Sequence, residues 1–291
     1  MENITLLVNS CDSYEDVWIP FFTSLKSMWS NFNYPILLNS EGKTFSFPGL
    51  NIKTLPKDDK LKGKAEPWGK RLLRHLDAIK SEYVLVLFDD FILEGNVDGA
   101  RIEQVKNWLI SNDDIAAFYI VGSSTPLISD SKFPGFSQVS PNSDYIVSSA
   151  PALWNKKNLK SLIGPIDTPW AWEYFGSARA YRNKYSFYYM SNKHDEIFKY
   201  KKECGGAIHQ GKWVKEVIDP AIMKYSLSLD TSIRGYDQNI LARRNLRWHF
   251  NFYYTGFKMI KWDIFIFIRR AVIRNIKRLL LKKNSEASNV K

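Results

Sequence analysis

The sequence predicts an α/β fold in which strands and helices alternate along the chain. Short apolar runs typical of buried strands recur in the first half, and segments with apolar residues at helical spacing lie between them. The chain has 291 residues, of which 45% are hydrophobic and 24% charged, as in a folded globular protein. One α/β domain is therefore expected to account for most of the chain.

The first elements follow a strand–helix–strand–strand order. Ile4–Asn9 is an apolar run that ends in a polar loop, and the apolar residues between positions 17 and 29 recur at helical spacing. Further strands are predicted over Tyr34–Asn39 and Asn51–Leu55. This order is typical of the opening of a nucleotide-binding α/β fold.

The strand predicted over Tyr83–Phe88 is the clearest of the later elements, and it stops abruptly at Asp89 and Asp90. Polar groups at such a strand end lie where open α/β sheets bind ligands. The other expected elements are a helix over Trp68–Ile79, a helix around 102–110, a strand over Ile115–Val121, a loop over 122–144, a strand over Tyr145–Ser149, a helix over Leu153–Leu162, a helix from Thr168 and Pro169, and a strand over 185–190.

The formal net charge of +11 favours a polyanionic partner: nucleic acid, anionic lipid or a phosphate-bearing substrate. Two cysteines, Cys11 and Cys204, exclude a disulfide scaffold and suit a reducing compartment. Neither a secretory signal nor an apolar run of about 18 residues is evident. We therefore expect a cytoplasmic location.

Asp89 and Asp90 are the first candidate site residues. A divalent cation bound together with a nucleotide diphosphate needs only one or two carboxylates, since phosphate oxygens and water fill its other positions. The alternative is a solvated turn in which aspartate is a common residue. Burying both carboxylates without a cation would be costly, which favours the metal site.

Glu173 lies in the second turn of the predicted helix from Thr168, next to Trp170 and Trp172. An apolar wall raises the pKa of a carboxyl group toward the range in which it accepts a proton at neutral pH. The two tryptophans are candidates for stacking on a sugar. The alternative is an acid favoured by the helix dipole beside two core tryptophans.

His209 is one of four histidines and is a candidate metal ligand, although a satisfied polar group beneath a loop is the commoner role. Lys212 suits a phosphate-neutralising role, and Arg71, with Trp68 nearby, is a candidate contact for a pyrophosphate. Surface solvation is the alternative for both cations. The chain contains no Gly-rich phosphate loop, no HExxH, no CxxC, no GxSxG and no nucleic-acid-binding signature.

Together, these segments resemble bacterial GT-A glycosyltransferases of the type encoded with capsule or O-antigen biosynthesis. The resemblance covers about residues 4–215 and follows the chain order LLVNSCDSY, PWGKRLLRHLDAIKSEYVLVLFDDFIL, TPWAWEYFGS and IHQGKW. It implies a Rossmann-like mixed sheet flanked by helices. It also implies an inverting transfer of a sugar from a nucleotide donor, UDP being favoured, with Mn²⁺ or Mg²⁺ as cofactor.

By this resemblance, DDF is similar to a DxD-type metal and diphosphate motif but lacks its second Asp, and Asp90 is the favoured ligand. Glu173 corresponds to the general base, and His209 completes the metal site. Asp12 and its strand-end neighbour Ser10 are expected to contact the nucleotide.

The C-terminal part changes character. We expect the glycosyltransferase domain over residues 1–250, a basic amphipathic segment over 251–283 and a disordered tail over 284–291. Aromatic and basic side chains in the second segment favour docking on an anionic membrane, next to a lipid-linked or glycan acceptor. The alternative is a helix packed on the domain with a solvated basic face.

Two other functions stay open at this point. A nucleotidyltransferase shares a Rossmann-like core and an acidic metal site, but it releases pyrophosphate. A non-catalytic module that binds membranes or polyanions needs no metal, and DDF would then be only a turn.

Overall fold

The computed structural model describes residues 4–58, 61, 66–128, 132–141, 143–237, 246–270 and 272–273. The strands are β1 (Ile4–Asn9), β2 (Ile36–Asn39), β3 (Ile52–Thr54), β4 (Tyr83–Phe88), β5 (Ile115–Gly122), β6 (Leu127–Ile128), β7 (Phe136–Val139), β8 (Ala152–Asn155), β9 (Ser186–Met190), β10 (Ile208–His209) and β11 (Lys212–Trp213). The α-helices are α1 (Glu15–Met28), α2 (Trp68–Ala78), α3 (Gly99–Ile110), α4 (Lys156–Leu162), α5 (Pro169–Asn183), α6 (Lys215–Tyr225) and α7 (Leu246–Ile260). Residues 264–270 are also helical.

Nine strands form one mixed sheet in the order β3-β2-β1-β4-β8-β5-β9-β7-β6. The first four of these are mutually parallel, whereas β8 runs antiparallel to both β4 and β5. The predicted α/β class, a mixed sheet flanked by helices, is therefore confirmed. Strands β10 and β11 form a separate small hairpin.

The central parallel strands β1 and β4 end at the same edge of the sheet. Every residue of β1 is buried, and so is β4 up to its last residue, as expected for strands covered by helices on both faces. The paired register sets Asn9 beside Phe88, so the residues after β1 and β4 leave the sheet side by side. Open α/β sheets in general bind their ligands at this edge.

Two of the sequence predictions in the middle of the chain are wrong. Residues 153–155, expected to be helical, belong to strand β8, and the helix begins only at Lys156, where the Asn155 side chain accepts a hydrogen bond from the Asn158 backbone N–H. Strand β8 has only four residues, too few to show a clear period, so its pairing with β4 and β5 decides its conformation. The expected strand over Tyr145–Ser149 is irregular backbone.

The expected loop over 122–144 contains the paired strands β6 and β7 at the far edge of the sheet. Helix α6 was not predicted, and it packs against α1. Thr168 does begin α5 as expected: its side-chain oxygen accepts from the Ala171 N–H, and Pro169 is the first helical residue.

Helix α7 crosses the expected domain boundary at residue 250 and packs on α5. The close contact is at Gly256, where a Cβ atom would lie 2.2 Å from the Phe175 ring. Phe267, beyond α7, is also buried and stacks on Tyr174 with ring centroids 4.8 Å apart. The first part of the predicted amphipathic segment therefore has a face packed on the domain, while residues 274–291, including the expected tail over 284–291, lie outside the described residues.

Two further observations concern the class of protein. Within the described residues, none of the helices combines the length and apolar character needed to cross a bilayer. Cys11 and Cys204 are both free thiols.

Candidate active site

A cleft of 1380 Å³ opens at the carboxyl edge of the parallel strands. Its floor is formed by the residues that follow β1, β4 and β5, and its walls come from α2, α5, α7 and the β10–β11 hairpin. The lining includes Asn9, Ser10, Trp68, Arg71, Asp89, Asp90, Gly122, Ser148, Ser149, Trp170, Glu173, Lys193, Lys202, His209, Trp248, Asn251, Phe252 and Thr255. Most of the residues singled out in the sequence lie in this one cleft.

Asp89 is fixed behind the cleft floor. Its Oδ2 accepts hydrogen bonds from the Ser10 hydroxyl at 2.5 Å and from the Trp18 indole N–H at 3.2 Å. Burial, with the neighbouring Asp90 charge as the second cause, raises the pKa of Asp89 well above its ordinary value. Both Asp89 and Ser10 are therefore engaged in holding the ends of β1 and β4 together.

Asp90 is the partly exposed member of the pair. Burial raises the pKa of its carboxyl group to about 7. A hydrogen bond from the Ile208 backbone N–H opposes this shift, because it stabilises the charged form and so lowers the pKa. The described ion pairs do not include Asp90, so no Lys or Arg of those residues compensates its charge. A negative group with a raised pKa and no protein cation is suited to binding a metal ion.

The backbone that follows Cys204 is pressed against Asp90. Gly206 has φ +136°, and a Cβ there would lie 2.2 Å from the Asp90 Oδ2. The Ala207 N–H donates to the Asp90 carbonyl at 2.8 Å. Glycine is needed at this position because any side chain would displace the carboxylate.

His209, on β10, enters the same cleft from the hairpin that adjoins Asp90. Its Nδ1 contacts the carboxylate of Asp237, which leaves Nε2 as the nitrogen available to a ligand. A carboxylate behind the imidazole is the usual support of a metal-ligating histidine. In the described part of the chain, no three His, Cys, Asp or Glu side chains come together as a metal cluster.

Arg71 and Trp68 bring the amino end of α2 to the cleft. Arg71 is buried, donates from Nη2 to the Ser10 carbonyl at 2.7 Å, and pairs through Nη1 with Glu41 at 2.9 Å. The Nε of Arg71 and the indole N–H of Trp68 are buried donors without a hydrogen-bond partner. Unpartnered buried donors are rare, and a ligand with acceptor oxygens would satisfy them.

Glu173 lies on the opposite wall, on α5. Its Oε1 accepts from the Ser149 backbone N–H at 2.7 Å, from the Ser149 hydroxyl at 2.6 Å and from the Ser148 hydroxyl at 3.3 Å. The carboxylate is thus held in one orientation by the irregular segment before β8. All of these hydrogen bonds converge on one oxygen, and Oε2 is the oxygen left for a further partner.

The two tryptophans beside Glu173 have different environments. Trp170 is 63% exposed and lines the cleft, where stacking on a sugar stays a prediction. Trp172 is 3% exposed, packs between Trp68 and Trp154, and donates from its indole N–H to the Leu162 carbonyl. The expected stacking role of Trp172 is corrected, because helical geometry turns its ring into the core.

Two other expected contacts lie outside the cleft lining. The Asp12 Oδ1 accepts from the backbone N–H groups of residues 41–43, so this side chain fixes the loop after β2. Lys212 is exposed on β11, on the strand opposite His209. Neither residue is among those that line the cleft, and their expected contacts with the donor stay predictions.

Several residues that line the cleft or support it were not predicted as site residues from the sequence. Lys202 pairs with buried Glu196, whose Oε1 also accepts from the Gly122 N–H at 2.7 Å and so closes the end of β5. Lys193 adds a cation to the lining. Ser148 and Ser149 orient Glu173 from a segment that was expected to be a strand, and no motif marked the two serines as site residues.

The chain is similar to several solved structures. The 1–349 fragment of S. aureus TarS in complex with UDP is 15% identical, with a TM-score of 0.45, and the match covers 80% of this chain and 68% of that one. Galactosyltransferase LgtC, with donor and acceptor sugar analogues, is 12% identical with a TM-score of 0.34, covering 54% and 59%. The bifunctional IspDF from Campylobacter jejuni is 14% identical with a TM-score of 0.39, covering 69% and 53%.

This chain spans 58% of a second TarS 1–349 structure and 41% of a longer TarS chain. No protein-family model and no curated protein sequence matches it. At these identities and TM-scores, the likeness carries no argument about the fold or the activity of this chain.

Proposed function

We propose that this protein is a GT-A glycosyltransferase that moves a sugar from a nucleotide donor, UDP being the favoured nucleotide, to a lipid-linked or glycan acceptor. The proposal includes metal dependence, inversion at the anomeric carbon and a role in bacterial surface polysaccharide synthesis, the last by resemblance alone. One observation carries it: a carboxylate without a compensating cation, Asp90, and a carboxylate oriented by serines, Glu173, line the same cleft at the carboxyl edge of the sheet.

The donor nucleotide is assigned to the end of the cleft near β1 and α2. The unpartnered N–H groups of Trp68 and Arg71 are buried there, and they match the acceptor oxygens of a nucleoside diphosphate. The Arg71 guanidinium already bonds the Ser10 carbonyl and Glu41, so its position is fixed before a ligand arrives.

Asp90 and His209 are the residues proposed to hold Mn²⁺ or Mg²⁺. The fit rests on the uncompensated charge of Asp90 and on Asp237 behind the imidazole of His209. A cation bound there would neutralise charge on the departing diphosphate. Two protein ligands leave room for phosphate oxygens and water.

Glu173 is proposed as the general base. The Oε2 atom takes the proton of an acceptor hydroxyl, while Ser148 and Ser149 hold Oε1 and so fix the direction of the free oxygen. The deprotonated hydroxyl then attacks the anomeric carbon on the face opposite the nucleoside diphosphate, which leaves with the electron pair of the broken bond.

The first experiment is calorimetric titration of UDP and a panel of UDP-sugars, with Mn²⁺ and with EDTA, on the wild type and on Asp90→Ala. We expect micromolar binding that requires both the metal and Asp90. Product analysis then separates the enzyme classes, because a glycosyltransferase releases a nucleoside diphosphate and a nucleotidyltransferase releases pyrophosphate. Absence of nucleotide binding in both conditions would refute the proposal.

The base assignment has its own test. We expect Glu173→Gln to lower turnover about 10²–10⁴-fold while donor binding is retained, because the amide cannot take a proton. Glu216→Gln, at an exposed glutamate on α6, is the matched control and should be without effect. Near-normal turnover in Glu173→Gln would assign the base elsewhere.

A further inference from the structure

Helix α7 has two chemically different faces. One face contributes Trp248, Phe252 and Thr255 to the cleft wall and packs Gly256 on α5. The opposite face exposes Phe250, which is 72% accessible and stacks on Tyr254. Positions 250, 254 and 257 form one stripe along the helix, as expected for spacings of four and three residues.

Further exposed aromatic side chains follow α7 along the chain. Trp262 is 75% accessible and stacks on Phe265, with ring centroids 6.0 Å apart. We define the outer face as the exposed apolar side chains Phe250, Tyr254, Phe257, Trp262, Phe265 and Ile268. A run of exposed aromatic rings on a folded domain marks a binding surface.

Basic side chains accompany this surface. Arg247, Lys258, Lys261 and Arg269 are exposed in the same segment, and the Lys258 Nζ lies 4.2 Å from the centroid of the Tyr254 ring. The one acidic residue between 246 and 273 is Asp263, which already pairs with Arg182 of α5. The field at the outer face is therefore positive.

We propose that the outer face docks on an anionic lipid bilayer, with its aromatic rings at the headgroup level and its lysines and arginines on lipid phosphates. Tryptophan and tyrosine prefer this interfacial depth, and basic residues around them add electrostatic attraction. A second copy of this chain is a poorer partner, because it would bring the same positive charges to the interface.

Docking in this way would have a consequence for the acceptor. Because α7 carries part of the outer face on one side and part of the cleft wall on the other, a docked bilayer would lie about one helix diameter from the cleft. If the proposed glycosyl transfer is correct, the acceptor is a lipid-linked one that reaches the cleft along α7. Membrane binding itself does not depend on that activity.

The test is co-sedimentation of the full chain with vesicles of phosphatidylcholine alone and of phosphatidylcholine with phosphatidylglycerol in equal parts. We expect binding to the anionic vesicles only. The double variant Phe250→Ser/Trp262→Ser should bind at least about tenfold more weakly, and Lys258→Gln/Lys261→Gln about 25-fold more weakly. Met223→Ser removes an equally exposed apolar side chain from α6 and should bind as the wild type does.

Thermal unfolding of each variant checks that the fold is retained, since the substituted side chains are exposed. Wild-type failure to bind anionic vesicles, or unchanged binding of both double variants, would overturn the proposal. A concentration-dependent dimer that Phe250→Ser/Trp262→Ser dissociates, without vesicle binding, would make the outer face a self-association surface instead. If vesicles bind but UDP-sugars do not, only the proposed activity fails.

Discussion

Replacing Asp90 by asparagine is expected to stabilise the folded protein at neutral pH while it removes the proposed metal ligand. Burial raises the pKa of this carboxyl group from 3.8 to about 7, so the unfolded chain releases the proton well before the folded protein does. The associated stability is fully present below about pH 4 and is lost as the pH rises through 7. Asparagine has the same shape and can keep the hydrogen bond from Ile208, but it carries no charge.

The magnitude follows from the pKa. One pKa unit corresponds to about 1.4 kcal/mol, so the full difference sets a ceiling of about 4 kcal/mol above pH 7. Because Asp90 is partly exposed, solvent screens part of the unfavourable energy of its charge. We therefore expect Asp90→Asn to raise the free energy of unfolding by about 2–4 kcal/mol near pH 8. Near pH 5 the gain should shrink to about a third of that, because the folded wild type is then protonated.

Urea denaturation of the wild type and Asp90→Asn near pH 8 and near pH 5, without metal, measures this gain. Asp77→Asn, at an exposed carboxylate paired with Lys160, is the control and should change stability by less than about 1 kcal/mol. If Asp90→Asn were less stable than the wild type near pH 8, or gained equally at both pH values, Asp90 would not carry a buried, uncompensated charge. Added Mn²⁺ and UDP should stabilise only the wild type.

Two further predictions test the supports of the cleft. Gly256→Ala should lower the free energy of unfolding by about 1–3 kcal/mol, because its Cβ would lie 2.2 Å from the Phe175 ring, whereas Phe250→Ala on the outer face should change it by no more than about 0.5 kcal/mol. Urea denaturation measures both changes. An unchanged free energy of unfolding in Gly256→Ala would contradict the tight contact between α5 and α7. Asp237→Asn should weaken Mn²⁺ binding about 10–100-fold, because it removes the carboxylate behind His209. Calorimetric titration measures this loss of affinity. A change below about twofold would show that His209 does not bind the metal ion.

Local sequence patterns were sufficient to predict the strands and the helix whose ends form the floor and one wall of the cleft. Uninterrupted apolar runs predicted β1 and β4, and the carboxylates after β4 predicted where a ligand-binding edge would lie. Thr168 and Pro169 predicted the start of α5, which positions Glu173. In each case the information is contained in a few adjacent residues, because a buried strand and a capped helix are decided locally.

Contacts between distant segments could not be obtained in this way. Asp237 stands 28 residues from the histidine it supports, and the serines that orient Glu173 are 24 and 25 residues away from it. The direction of Trp172, which the sequence left undecided, was set by packing on α2 and β8.

The sequence by itself determined the α/β class, the position of Asp89 and Asp90 at the end of a buried strand and the amphipathic character of the C-terminal segment. Only the tertiary structure decided that β8 is inserted antiparallel into the sheet, that Asp12 and Lys212 lie outside the cleft and that α7 forms part of its wall. The physical reason is the range of the interactions. Periodicity and capping act over a few residues, whereas strand order, side-chain direction and cleft shape depend on which distant segments pack together.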